Sequence, residues 1–141
     1  MFIEPTQKHI LVVEDEKDLR DSLKTSLEYS GYKVSTAENS EEALRILPDL
    51  TPDLILLDIL TESMDAGLFL QRLRHLPSEL KHTKVIVLTN LDDDPTREKM
   101  MQHGIDAYLV KIQVSLQDIL DHIDTALLPI AAERSRPVLE L

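Results

Sequence analysis

Polar residues with complementary chemistry stand directly behind short apolar runs in this sequence. Glu14 and Asp15 follow "HILVV", Asp58 follows "LILL", Thr89 ends "KVIVLT", and Lys111 follows "AYLV". Three carboxylates packed closely repel one another by roughly a few kcal/mol unless a cation sits between them. A donor set made only of oxygen selects a hard divalent ion, and a small site open to water favours Mg²⁺ over Ca²⁺. A hydroxyl and an ammonium are hydrogen-bond donors that suit a phosphoryl group bridged to such an ion. A carboxylate beside the metal can itself be the nucleophile and form an aspartyl phosphate. Asp58 is the candidate, because its run would be the central strand, between the acids on one side and Thr89 on the other.

That chemistry requires elements that bring distant residues to one edge. The apolar runs 9–14, 32–37, 53–58, 84–89 and 106–111 supply candidate strands. Those at 9–14, 53–58 and 84–89 are almost continuous Val, Ile and Leu, as expected of strands buried on both faces of a parallel sheet. Stretches with helical spacing lie between them. Leu19, Leu23 and Leu27 recur every fourth residue, and Gly31 stands where a helix would end. Ser40 precedes "EEALRIL", with Ala43, Leu44 and Leu47 on one face. Leu68, Leu70 and Leu73 line the next helix. Asp94 and Pro95 read as an N-cap and a first-turn proline, with Gly104 closing that helix. Ser115 and Asp118 make a capping box ahead of Ile119, Leu120, Ile123 and Leu127.

Strand–helix alternation repeated in this way predicts an α/β, doubly wound (βα)5 fold of the flavodoxin-like kind, with a five-stranded parallel sheet in the order 2-1-3-4-5. Strands 1 and 3 are then neighbours where the winding reverses, and ligands in such sheets bind beyond the carboxyl ends of the strands there. The acids flank that point.

Composition narrows the function classes. The 141 residues suffice for one domain, and no apolar run approaches the roughly 20 residues of a membrane span. The absence of cysteine excludes disulfides and thiolate metal sites and agrees with a cytoplasmic setting. A net charge of −11, from 26 acids against 15 Lys plus Arg, argues against direct contact with nucleic acid or an anionic membrane. His9, His75, His82, His103 and His122 show no metal-ligand spacing and read as surface residues. Met100 and Met101 read as packing. An isolated "EDE" would be an ordinary acidic turn; it gains meaning from Asp58, Thr89 and Lys111 in register with it.

Read together, "VVEDE", "LILLDI", "VIVLTN" and "LVKI" resemble the receiver domain of bacterial two-component response regulators, the CheY-like superfamily. The likeness runs from about residue 7 and gives a receiver unit of residues 1–128. Residues 129–141 are then a tail or linker without an output domain, in a stand-alone or excised receiver. The resemblance implies a phospho-accepting signalling switch, not an enzyme in the usual sense. Asp58 would take phosphate from the phosphohistidine of a histidine kinase or phosphotransfer protein. Glu14, Asp15, Asp58 and the backbone carbonyl of Leu60 would bind Mg²⁺. Thr89 and Lys111 would contact the phosphoryl group. Thr89 and Tyr108 would switch, Tyr108 moving from exposed to buried, and the helix–strand–helix face at about residues 95–128 would change. That face is also the expected homodimer contact. A pseudo-receiver, an interaction module that no longer takes phosphate, is the alternative. A phosphatase with an Asp nucleophile would need a second acid where Leu60 stands.

Several positions depart from the family's pattern. Glu62 replaces a proline, and one extra residue precedes Gly67, so the loop after Asp58 should differ in shape. Lys111 is followed by Ile112 where the family has a proline after a cis bond. A trans bond is expected here, since cis before a non-proline costs about 2.5–4 kcal/mol. Asn90 replaces a small residue. Leu60 and Leu91 occupy the positions that flank the path of the hydrolytic water, which implies slow loss of phosphate.

Overall fold

The computed structural model describes residues 7–58 and 66–128. Its strands are β1 (His9–Val13), β2 (Lys33–Ala37), β3 (Leu54–Leu57), β4 (Lys84–Thr89) and β5 (Ala107–Val110). Its helices are α1 (Lys17–Tyr29), α2 (Ser40–Leu50), α3 (Ala66–Arg74), α4 (Ser78–Lys81), α5 (Asp94–Gln102) and α6 (Leu116–Leu127), with a 3₁₀ turn at Lys111–Gln113. The strands form one parallel sheet in the order β2-β1-β3-β4-β5, as the sequence predicts.

Consecutive strand residues point to opposite faces, so a continuous apolar run fills two cores at once. Leu11, Val13, Ile55, Leu57, Val85 and Val87 pack against α2, α3, α4 and α5 through Ala43, Leu47, Phe69, Leu73, Leu80 and Met100. Ile10, Val12, Leu54, Leu56, Ile86 and Leu88 face α1 and α6 through Leu23, Leu27, Ile119 and Ile123. The central strands are therefore held from both sides, and their ends are fixed in depth.

Helix ends follow local chemistry, with one shift of one residue from expectation. Asn39 caps α2: its side chain accepts the Glu42 N–H at 2.8 Å, while Ser40 beside it is buried inside the helix. Asp93, not Asp94, caps α5: it accepts the Thr96 N–H at 3.0 Å and its backbone is extended. In both places two capable residues are adjacent, and the one with extended backbone takes the cap. Ser115 and Asp118 form the expected capping box. Gly31 and Gly104 follow α1 and α5 with φ of 101° and 81°, a region that favours glycine.

Other expectations need correction. On α3 the core residues are Phe69, Leu70 and Leu73, while Leu68 faces outward at 39% exposure; 68 and 70 lie on different sides of a helix. Met100 is buried but Met101 is exposed. The single-turn α4 carries Leu80 into the core and has no counterpart in the expected pattern. Among the described residues no peptide bond is cis, so Lys111–Ile112 is trans as expected.

His9 is not a surface residue. It is buried at the start of β1, its Nε2 lies 2.8 Å from Ser35 Oγ, and its backbone N–H donates to Asp53 Oδ2 at 2.8 Å. Burial, helped by Lys33, holds the imidazole below its ordinary value of 6.5, against the opposing pull of the Leu50 backbone and Asp53. The unfolded chain then takes up a proton that the folded chain resists. Stability is accordingly flat above about pH 6.5 from this source and falls as pH drops below it. Urea midpoints measured between about pH 8 and 5.5 will show a steeper acid-side loss in the wild type than in His9→Gln; parallel curves would contradict the assignment.

Candidate functional site

Strand register builds the site. Val13 pairs with Leu57, Leu57 with Val87, and Thr89 with Val110, so the residues that follow these strands emerge side by side. The Asp58 N–H donates to the Val13 carbonyl at 3.0 Å and the Glu14 N–H to the Ala37 carbonyl at 3.0 Å. These ladder bonds carry the sheet one step beyond β1 and β3 and set both carboxylates at its edge. Glu14 is 2% exposed, Asp58 4% and Thr89 0%, whereas Asp15 is exposed.

Lys111 reaches across from the far side. Its Nζ lies 3.0 Å from Glu14 Oε1 and 3.0 Å from Asp58 Oδ2, as one ammonium shared by two buried acids. Burial alone would lower the ammonium's pKa, but the bonds from Glu14 and Asp58 outweigh it and the net shift is upward. Burial pushes Glu14 upward, while Lys111 and the Glu16 N–H pull it back. Lys111 is therefore firmly charged, and burial makes the charge on Glu14 costly.

The acids fit a hard divalent cation. Glu14, Asp15 and Asp58 each offer an oxygen, all within 4.8 Å of one another. Asp15 leaves one side of the cluster open to water, as Mg²⁺ favours. Arg20, one turn into α1, donates to the carbonyls of Glu14 at 3.0 Å and Asp15 at 3.4 Å and so fixes the loop that carries them.

Thr89 leads away from the acids toward α5. Its Oγ1 accepts the Leu91 N–H at 3.1 Å, which leaves its own O–H free in direction to donate elsewhere. The Leu91 carbonyl accepts the Tyr108 O–H at 2.6 Å. Tyr108 is half-buried, with the Arg97 guanidinium 5.0 Å from its ring centroid.

The structure thus brings Glu14, Asp15, Asp58 and Lys111 into one cluster, puts Thr89 at the adjoining strand end, and links Tyr108 to it through Leu91. Leu60 and Glu62 lie outside the described residues, as do residues 129–141. Sequence reasoning missed Arg20 and Arg97. A cation about one turn past each acidic stretch is a signal, but a weak one, because such residues usually only pair with acids one turn away at the surface.

Residues 10–124 match a family model described as the response regulator receiver domain. The chain is 35% identical over 125 residues to "Probable transcriptional regulator ycf27" of Cyanidium caldarium, covering 84% of this chain and 49% of that protein. It is 34% identical over 111 residues to "Response regulator MprA" of Mycobacterium sp. (strain KMS), covering 79% of this chain and 46% of that protein. The chain spans about half the length of these curated relatives. Among solved structures, a CheY-like receiver domain protein from Methanospirillum hungatei JF-1 superposes with a TM-score of 0.77 at 29% identity, covering 85% of this chain and 93% of that one. The chemotaxis protein CheY4 of Vibrio cholerae superposes at 0.79 with 24% identity, covering 86% of this chain and 100% of that one, a likeness of fold.

Proposed function

Because the chain belongs to the response regulator receiver domain family, we propose that it is a phospho-accepting switch with Asp58 as the acceptor. The observation that carries this reading is the Lys111 ammonium shared at 3.0 Å by Glu14 and Asp58, with the Asp15 carboxylate alongside. A module kept only for its surface would have no need of two buried acids around one ammonium, an arrangement costly to desolvate.

An Asp58 oxygen attacks the phosphorus of a phosphohistidine. The new P–O bond forms as the P–N bond breaks, and the imidazole leaves with the electron pair and takes up a proton. Lys111 has three N–H donors, two of them engaged by the acids; it turns toward a phosphoryl oxygen as that oxygen gains charge. The Thr89 hydroxyl donates to another. Glu14, Asp15, Asp58 and the Leu60 carbonyl would hold Mg²⁺, whose charge offsets that of the transferred phosphoryl oxygens. The partner is a histidine kinase or phosphotransfer protein, which places the chain's work in the cytoplasm. The output is a change in the α5–β5–α6 face, where a homodimer contact forms. The acidic charge argues against direct contact of these residues with DNA.

Incubation with Mg²⁺ and a small phosphodonor tests the proposal. The intact mass should rise by one phosphoryl group in the wild type and not in Asp58→Asn. No gain at any donor concentration would instead favour the pseudo-receiver.

Phosphate lifetime is a second expectation. The leucine side chains at 60 and 91 cannot orient a water by a hydrogen bond, and loss of positioning by an ångström costs about 10²-fold in rate. The phosphorylated protein should decay slowly in Mg²⁺, and Leu91→Glu, which puts a polar group there, should decay faster. Equal decay of the two would remove Leu91 from this role.

A further inference from the structure

The loops that carry Thr89 and Lys111 are tied together twice. One tie is the Tyr108 O–H on the Leu91 carbonyl, at 2.6 Å. The second lies outside it. Gln113, in the 3₁₀ turn just after Lys111, donates from Nε2 to Asp92 Oδ2 at 3.1 Å. The other oxygen of Asp92 is 3.5 Å from the Arg97 guanidinium, which also approaches Asp94 at 3.9 Å. That same guanidinium stands 5.0 Å from the centroid of the Tyr108 ring. Asp92 is thus a node: one oxygen is tied to the loop after β5, and the other holds the cation that covers Tyr108.

We propose that Asp92, Arg97 and Gln113 are positioning residues, a clasp that holds the Tyr108 ring in its half-buried place before any phosphate arrives. This rests on the reading of Tyr108 as the switch residue, and it adds what sets the switch at rest. For Tyr108 to swing out, its O–H must leave Leu91 and its ring must leave Arg97. Arg97 is in turn held back by Asp92. The phenol's environment agrees: burial raises its pKa, Arg97 lowers it, and Asp93 and Asp92 raise it. The clasp therefore biases Tyr108 toward the inward side, so that phosphate on Asp58 has less of the rearrangement left to drive.

Composition makes this measurable. The chain has no tryptophan and three tyrosines, at 29, 32 and 108. In protein carrying 3-fluorotyrosine, Tyr108→Phe assigns the Tyr108 fluorine resonance, and Tyr29 and Tyr32 serve as internal controls. The measurement is made on unphosphorylated protein without Mg²⁺. Asp92→Ala, Gln113→Ala and Arg97→Met should each move the Tyr108 resonance toward its unfolded position. Exposed ion pairs and cation–π contacts of this kind shift a two-position ratio by about two- to fivefold. The Asp92→Ala, Gln113→Ala double variant should move little further than Asp92→Ala alone, because both break at the same node. Asp92→Asn, which keeps an acceptor for Gln113 but loses the charge facing Arg97, should fall between. If an alanine variant also moves Tyr29 or Tyr32, Asp92→Asn decides. A Tyr108 resonance that stays within its linewidth in Asp92→Asn and Arg97→Met would overturn the clasp. Because no phosphate is involved, failure of the wild type to accept phosphate leaves this result standing, and the reverse holds equally.

Discussion

Replacing Lys111 with methionine will destabilise the protein in metal-free buffer and nearly abolish phosphate uptake, and Mg²⁺ will restore much of the stability but little of the activity. The stability loss follows from burial. Lys111 Nζ lies 3.0 Å from carboxylate oxygens of both Glu14 and Asp58, which are 2% and 4% exposed. Removing one partner of a buried ion pair costs about 3–5 kcal/mol, because the charge left behind is desolvated and uncompensated. Burial already raises the Glu14 pKa, and loss of the ammonium that pulls it back raises it further, which relieves part of that cost. The loss should therefore fall at or below the lower end of the range. A divalent ion on the same carboxylates supplies the missing charge, so the variant's melting temperature should depend on Mg²⁺ far more steeply than the wild type's. Activity is a separate matter. Loss of a positioned donor to developing charge costs about 10²–10³-fold in rate, and the metal does not replace it. Thermal melts with and without Mg²⁺ and a phosphodonor time course will check both parts. A variant as stable as the wild type without metal would show that the shared ammonium is not what makes the acid pair tolerable.

Asp15→Ala should behave in the opposite way. Asp15 is exposed at the mouth of the cluster and adds like charge to Glu14 and Asp58. Its removal relieves repulsion, so the metal-free protein should be as stable as the wild type or slightly more so. Yet it supplies one of the three carboxylates. Its loss should weaken Mg²⁺ binding and lower phosphate uptake by about 10²-fold or more at moderate Mg²⁺, with partial recovery at high Mg²⁺. A large loss of stability without metal, or undiminished uptake, would contradict the role given to Asp15. The two substitutions thus separate the forces in one cluster: one removes the charge that balances the acids, the other removes an acid.

The sheet was legible because β1, β3 and β4 are buried on both faces, and only continuous Val, Ile and Leu satisfy that. Strand order alone then places Glu14, Asp15, Asp58, Thr89 and Lys111 at one edge. Side-chain reach was less legible. That Lys111 bridges Glu14 and Asp58 depends on its burial and length, which spacing does not report. The α5 cap falls at Asp93, one residue before the expected Asp94, because backbone angle chooses between two adequate side chains. His9 read as a surface residue because a histidine at a strand start gives no sign of the Ser35 hydroxyl on the neighbouring strand. Arg20, Arg97 and Gln113 were overlooked because their partners are set by the folding of loops, not by periodicity.

Reduction of the phosphorylated protein with borohydride tests the central claim most directly. An aspartyl phosphate is an acyl phosphate, and hydride converts it to the alcohol, homoserine. Protein treated with a small phosphodonor in Mg²⁺, then with borohydride and protease, should yield a peptide with homoserine at position 58 and unchanged aspartate at 15. The signal should vanish when Mg²⁺ is chelated before the donor is added. Homoserine at another acid with Asp58 intact, or at no acid while the intact mass shows a phosphoryl group, would contradict Asp58 as the acceptor.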